Sequence, residues 1–93
     1  MYNYIVGKIT DIEASYIVLE CSGIGYQIYV SNPYQFEINS ETKVYVYTQI
    51  KEDEHNLYGF KTKEEKELFL RLINVKGVGP KLVMPMLATG SVN

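Results

Sequence analysis

The sequence is poor in residues that build covalent cross-links or membrane-spanning structure. Its 93 residues include one cysteine, three prolines and no tryptophan. Cys21 has no partner for an internal disulfide, and its apolar surroundings predict a buried small side chain in a reducing cytoplasm. There is no run of about 18 apolar residues to span a membrane. The start, Met1–Tyr4, has neither the basic residues nor the apolar run of a signal peptide. We therefore expect a cytoplasmic protein without a membrane partner.

A constellation of catalytic residues is also missing. Cys21 and His55 are the only residues of their types, and nothing in their spacing brings them together. The sequence has no defensible Ser/His/Asp or Cys/His arrangement, no P-loop and no CxxC pair. This disfavours an enzyme. We predict no catalytic residues, no metal ligands and no cofactor.

Charge is distributed unevenly along the chain. The net charge of −2 argues against a general polyanion binder. However, residues 1–60 carry eight acids and three bases, which gives −5, whereas residues 61–93 carry six bases and three acids, which gives +3. The C-terminal part is therefore the one suited to a polyanion.

Five stretches within the first sixty residues show the alternation and the residue types of β-strands. They are Tyr2–Thr10, Tyr16–Cys21, Tyr26–Val30, Lys43–Ile50 and Leu57–Phe60. Tyr34–Ile38 is either a short helix or an irregular segment that covers the end of a barrel. Five short strands without a long helix predict a partly open OB-fold barrel over residues 1–61. The fold class is therefore mainly β with a C-terminal α part.

Two helices are predicted after the barrel. Thr62 and Glu65 form a capping box for a first helix, Lys63–Asn74. A second helix is expected from Pro80 to about Ala88, with Gly90 as its C-terminal cap. Pro85 would lie inside it at a cost of roughly 3 kcal/mol, so a kink or an early end is expected there. Residues 62–93 are thus predicted to be two helices joined by a short connection. Short helices cannot bury their apolar stripes alone and must pack on the barrel, on further chain or on a partner.

The connection between the two helices carries an anion-binding pattern. Gly77 and Gly79 permit a positive φ or a close approach to the backbone. Pro80 suits the first helical position, and Lys81 follows in the first turn. Backbone N–H groups and the helix dipole would then point at one spot, where a lysine favours phosphate. An ordinary helix connection is the alternative. The predicted DNA-phosphate contacts are Lys76, Gly77, Val78, Gly79 and Lys81.

The acidic tip Lys51–Glu54 lies between two strands and has three interpretations. A solvated loop is the simplest. A cation site that includes His55 is disfavoured, because adjacent strand residues point to opposite faces. A third interpretation is that the acids repel DNA phosphates held nearby by the glycine-lysine turn. OB-folds also stack bases on aromatic side chains, but because this half is acidic we interpret its tyrosines as strand formers: Tyr16, Tyr26, Tyr29, Tyr45 and Tyr47.

Taken together, these features resemble the N-terminal part of the RuvA family, the bacterial Holliday-junction-binding subunits of the RuvAB branch-migration complex. The matching pieces occur in family order across nearly the whole chain. They are Met1–Gly7, Gly23–Tyr26, Lys51–Asp53, Leu57–Phe60, Glu64–Phe69 and Gly77–Leu82.

The resemblance implies an OB-like domain that forms a flat homotetramer and a second domain of two helix-hairpin-helix motifs that hold duplex arms by their phosphates. It also implies an acidic pin at the tetramer centre, which Glu52 and Asp53 match, and a small helical domain that recruits the RuvB ATPase. We expect this chain to be an N-terminal fragment without the second hairpin and the motor-binding domain.

The function implied is a non-catalytic subunit that binds four-way junctions in recombination, repair and the SOS response. The alternative is an OB-fold assembly module that binds no DNA itself. Where the family has small or aliphatic residues after Lys81, this chain has Val83 and Pro85. Val83 replaces a small residue that lets the helices approach closely, and Pro85 interrupts the second helix, so both bear on the packing of the hairpin but not on the turn itself.

Overall fold

The five predicted strands are confirmed. The computed structural model describes residues 2–89 of the chain. Its strands are β1 Tyr4–Ile12, β2 Tyr16–Cys21, β3 Ile24–Val30, β4 Glu41–Ile50 and β5 His55–Phe60. Their ends differ from the predicted ones by at most two residues, because ladder pairing runs on into sequence that reads as turn.

The strands form a closed barrel in the order β1-β2-β3-β5-β4. The prediction of an OB-type barrel is confirmed, although the barrel is closed rather than partly open. A short parallel pairing of β3 with β5 and an antiparallel pairing of β1 with β4 complete the ring. The register of β1 shifts between Ile9 and Asp11, so that its first half pairs with β4 and its second half with β2.

Alternate residues of β4 and β5 face two different environments. Val44 and Val46 of β4 are fully buried inside the barrel. Gly59 of β5 also faces inward, and a side chain there would run into Ile28 and Val44. The residues between them point outward and are mostly aromatic: Tyr45, Tyr47, Tyr58 and Phe60.

Two separate hydrophobic groups result from this alternation. The barrel core consists of Ile5, Ile9, Ile17, Leu19, Ile28, Val30, Phe36, Val44 and Val46. Phe36 follows a 3₁₀ turn at Pro33–Gln35, so the segment left open by the sequence is a short turn followed by irregular chain. Cys21 is half-buried against this core rather than buried within it. The second group, which we call the helix cluster, consists of Tyr58, Phe60, Phe69, Val83, Met84 and Leu87.

The first helix, α1, spans Lys63–Ile73 and ends one residue before the predicted Asn74. The hydroxyl of Thr62 accepts a hydrogen bond from the Glu65 N–H at 3.1 Å, which confirms the predicted N-cap. Its one fully buried side chain, Phe69, packs on the outer face of the barrel. No helix within residues 2–89 combines the length and the apolarity needed to cross a bilayer.

The second helix, α2, spans Pro80–Thr89 and continues through Pro85. An early end at Pro85 is therefore wrong, whereas a kink there stays a prediction. Buried contacts of Met84 and Leu87 on either side offset the missing backbone bond, while Pro85 itself is exposed. The side chain of Val83 is fully buried in the helix cluster. The predicted cap at Gly90 lies outside the described residues.

The two helices pack against outward-facing tyrosines of the barrel. Tyr29, Tyr45 and Tyr47 pack against the helix cluster. Tyr47 lies 5.3 Å from Phe69 between ring centroids. These rings are therefore occupied by intramolecular contacts, in agreement with their interpretation as structural residues rather than base-stacking ones.

Candidate nucleic-acid interface

The connection between α1 and α2 is a tight turn centred on Gly77. Val75 donates its N–H to the Leu72 carbonyl at 3.1 Å, and Val78 donates to the Val75 carbonyl at 3.0 Å. Gly77 has a φ of +84°, a conformation that costs a residue with a side chain roughly 1–2 kcal/mol. The predicted need for glycine is confirmed at this position.

Helix α2 begins as the sequence predicts. The carbonyl of Gly79 accepts hydrogen bonds from the N–H groups of Leu82, at 3.1 Å, and Val83, at 3.2 Å. Gly79 is therefore the cap residue and Pro80 the first helical residue. Since proline has no N–H, the donors available at this helix end belong to its neighbours.

Three backbone donors at this helix end are unpaired. The N–H groups of Gly77, Gly79 and Lys81 have no acceptor within residues 2–89. They lie at the positive end of the α2 dipole, and the Lys81 side chain is 70% exposed. Val78 differs, because its side chain is half-buried against the helix cluster and fixes the turn to the body of the protein. The result is an exposed and anchored turn with unpaired donors, as an anion site of the predicted kind would need.

The two glycines are small for different reasons. Gly77 is required by its positive φ. Gly79 has no positive φ, and among residues 2–89 no heavy atom other than those of its chain neighbours lies within 4 Å of the position that a Cβ would take there. Glycine at position 79 therefore suits its place as the N-cap of α2. It also leaves room for an external group to approach the backbone closely.

The acidic tip is a tight hairpin between β4 and β5. Lys51 donates its N–H to the Glu54 carbonyl at 2.8 Å, and Glu54 donates back to the Lys51 carbonyl at 3.4 Å. These bonds place Glu52 and Asp53 at the apex, where both are exposed. Within residues 2–89, no three His, Cys, Asp or Glu side chains are arranged to hold a metal ion.

The structure brings the acidic tip to the start of α2. Nζ of Lys81 lies 4.0 Å from Oε1 of Glu54. Of the candidate residues, Lys81 is thus adjacent to the base of the tip, while Glu52 and Asp53 lie exposed at its apex. Sequence reasoning grouped Glu54 with the other two acids and missed this contact. The only available signal was its position at the base of a hairpin, next to the first residue of β5.

Two ionisable groups near the interface are shifted by burial. The pKa of Tyr58 is raised, chiefly because burial disfavours the charged form and further because Tyr29 and Glu54 lie nearby. Its hydroxyl donates to Oε1 of Gln49 at 3.4 Å. Burial lowers the pKa of Lys66, whose ammonium donates to Oδ1 of Asn3 at 3.1 Å. Neither residue was singled out from the sequence.

The structure thus combines an OB-type closed barrel with two helices joined by an exposed glycine-lysine turn, which places it in the class of OB-fold proteins. The family model described as "RuvA N terminal domain" matches residues 1–59. The chain therefore belongs to the RuvA N-terminal domain family.

Curated relatives agree with this assignment. Proteins named "Holliday junction branch migration complex subunit RuvA" are 48% identical over 90 residues in Streptococcus agalactiae and 49% identical over 90 residues in Streptococcus pneumoniae. In both cases the match covers 95% of this chain and 46% of the relative. A protein of the same name from Pediococcus pentosaceus is 43% identical over 97 residues, which cover all of this chain and 50% of the relative. The chain thus spans about half the length of these relatives.

Proposed function

We propose that this chain is the DNA-binding part of a non-catalytic subunit that recognises four-way junctions and supports branch migration in recombination and repair. The observation that carries the proposal is the exposed turn at Gly77–Lys81, with its unpaired donors and its lysine at the start of α2. The names of the relatives support the same function. We assign no catalytic residue and no cofactor to the chain, and the motor step would belong to a partner ATPase.

The phosphate grip is assigned to Lys76, Gly77, Val78, Gly79 and Lys81. Backbone N–H groups and the lysines would contact phosphate oxygens, with Val78 anchoring the turn. Such contacts carry no base information, so binding is indifferent to sequence. Affinity should fall steeply with salt, because each neutralised phosphate releases counterions.

Glu52 and Asp53 are assigned to an acidic pin. Their exposure at the apex of a tight hairpin supports this role, because the charges are held away from the body of the barrel. Near the crossover of a junction they would repel phosphates and keep the strands apart. They would thereby favour an open junction over a continuous duplex.

The proposed assembly has residues 1–61 as the OB-fold domain and residues 62–93 as the first helix-hairpin-helix of a second domain. We propose a cytoplasmic homotetramer, in which four copies multiply weak phosphate contacts by avidity. A RuvB-type ATPase would be the motor, recruited through a further domain of the kind that the family resemblance implies.

The function is tested by titrating labelled four-way and linear DNA of equal length at several salt concentrations. We expect tighter binding to the junction, with an affinity that decreases as salt increases. Equal affinity for both DNAs, or an affinity that does not depend on salt, would contradict junction recognition.

The pin is tested by the double substitution Glu52→Gln and Asp53→Asn. We expect the preference for junction over linear duplex to shrink, because the repulsion at the crossover is removed. An unchanged preference would show that the tip is only a solvated loop.

An assembly module without DNA binding is the second candidate. It is favoured by three exposed apolar or aromatic side chains at the start of the chain: Tyr2, 52% exposed, Tyr4, 48% exposed, and Val6, 44% exposed. Light scattering with and without junction DNA separates the candidates. A tetramer that binds no DNA would favour the assembly module, and a monomer that binds DNA would show that the ring is not required.

A further inference from the structure

Glu54 occupies a different position from the two acids at the apex of the tip. Its backbone pairs with Lys51 at the base of the hairpin, and it is half-buried, whereas Glu52 and Asp53 are exposed. The next residue, His55, begins β5. The carboxylate of Glu54 is therefore held close to the body of the protein.

This carboxylate lies between two ammonium groups. Its Oε2 is 3.9 Å from Nζ of Lys51, and its Oε1 is 4.0 Å from Nζ of Lys81. Both ion pairs found among residues 2–89 meet at this one side chain. Glu54 thus links the acidic tip to the lysine at the start of α2.

A DNA phosphate at the Gly77–Lys81 turn would need the same ammonium. Two anions close to one cation repel each other, so the phosphate and the carboxylate cannot both be favourably placed there. The side chains of Lys81 and Glu54 are 70% and 42% exposed, respectively. Pairs of this kind are weak and screened by salt, so the contact can break when a phosphate arrives.

We propose that Glu54 is an internal competitor for Lys81: it pairs with the ammonium in the free protein and yields it to a DNA phosphate on binding. This inference rests on the phosphate-binding role proposed for Lys81. The carboxylate lowers the affinity of the turn for DNA and gives the ammonium an alternative partner each time a phosphate leaves. In a subunit over which DNA has to move, every phosphate contact must break repeatedly, and an internal partner makes that exchange easier.

The test is a double-mutant cycle of four versions of the 93-residue chain: the unaltered protein, Glu54→Gln, Lys81→Met and the combination. The probe is a fluorescently labelled synthetic four-way junction, titrated at low and at moderate salt. Glu54→Gln should tighten binding about two- to fivefold at low salt, the range expected for one exposed ion pair. The gain should shrink as salt increases. In the Lys81→Met background, Glu54→Gln should leave the affinity unchanged.

Glu20→Gln is the matched control, because it removes the same charge from an exposed position on β2 that contacts neither the tip nor the turn. It should bind the junction as the unaltered chain does. An equal gain from Glu54→Gln with and without Lys81 would overturn the proposal in favour of general repulsion. Weaker binding by Glu54→Gln would overturn it in favour of a supporting role.

If the phosphate-binding role of Lys81 is wrong, the result differs from the one expected if only the competitor role of Glu54 is wrong. If Lys81→Met binds the junction as tightly as the unaltered chain, then the phosphate role of Lys81 is wrong, whatever Glu54 does. If Lys81→Met weakens binding but Glu54→Gln has no effect in either background, then only the competitor role is wrong.

Discussion

The barrel and the helical hairpin obtain their stability in different ways. The barrel core is supplied by its own strands and by Phe36, which follows β3. The helix cluster takes two of its six buried residues, Tyr58 and Phe60, from the outer face of β5. The two parts also differ in charge, −5 for residues 1–60 and +3 for residues 61–93. A self-contained acidic barrel therefore carries a basic helical hairpin that depends on it for packing.

The dependence of the hairpin on the barrel explains why the turn between two short helices has a fixed position. Helices of 11 and 10 residues are marginal without tertiary contacts. Phe69 is fully buried among barrel rings, at 4.8 Å from Phe60 and 5.9 Å from Tyr58 between centroids. Val78 extends the same contacts to the turn. The barrel thus fixes the position of the Gly77–Lys81 turn, to which we assign the phosphate contacts.

Phe69→Ala should have the largest effect on the difference in stability between the barrel and the helical hairpin. Removal of this ring leaves a cavity between α1 and the barrel at a cost of about 3–5 kcal/mol. Because the barrel core does not include Phe69, the helices should lose amide hydrogen-exchange protection while β1, β2 and β3 keep theirs. Exchange measured by NMR or mass spectrometry checks this.

Ile28→Ala is the reciprocal change, since Ile28 is fully buried in the barrel core. It should cost about 2–5 kcal/mol and remove protection from strands and helices together. If Phe69→Ala also removes protection everywhere at once, the barrel and the hairpin form one cooperative unit, and the proposed division at residue 61 is wrong.

Pro85→Ala tests the same difference between barrel and hairpin, but by stabilising the hairpin instead of weakening it. The helix continues through Pro85 because Met84 and Leu87 are buried on either side of it. Alanine restores the bond to the Lys81 carbonyl, so the free energy of unfolding should rise by about 1–3 kcal/mol. Urea unfolding measures the change. Leu82→Ala, at an exposed position of the same helix, is the control and should lie within about 0.5 kcal/mol of the unaltered chain.

Periodicity and turn chemistry predicted the local structure well. The alternation of Val44 and Val46 with Tyr45 and Tyr47 assigned both faces of β4, and Thr62 fixed the start of α1. The early end predicted at Pro85 was wrong, because tertiary packing that the sequence does not display overrode the local propensity.

The candidate site was only partly predictable. The turn at Gly77 and the first helical residue Pro80 follow from local rules. The contact between Glu54 and Lys81 joins residues far apart in the chain, and it depends on how the hairpin lies against β5. No local pattern encodes that placement, so the sequence could not separate Glu54 from its acidic neighbours.

Substitutions at the two glycines separate folding from binding. Gly77→Ala should lower the free energy of unfolding by roughly 1–2 kcal/mol, because its φ of +84° is strained for alanine. Gly79→Ala has no such strain and meets no neighbour within 4 Å. It should lower the free energy of unfolding by only about 0.5–1 kcal/mol, because alanine is a poorer N-cap than glycine. It should weaken junction binding about tenfold, through loss of a backbone hydrogen bond to a charged oxygen. Undiminished binding by Gly79→Ala would contradict a close approach of DNA at this residue.

Tyr58→Phe gives the smallest expected effect and probes the boundary between the two parts. At pH 7 the change should cost about 0.5–1.5 kcal/mol, because only the hydrogen bond to Gln49 is lost.

Burial raises the pKa of Tyr58 above 10.0, its value in an unfolded chain. The unfolded state therefore loses the proton first as pH rises, and the stability of the unaltered protein falls from about pH 10 upward. Tyr58→Phe should lack this decrease, whereas Tyr34→Phe, at a 75% exposed position, should retain it. Urea unfolding between pH 7 and pH 11 measures both variants. If the difference in free energy of unfolding between Tyr58→Phe and the unaltered chain stays constant with pH, then the helices do not shield the hydroxyl.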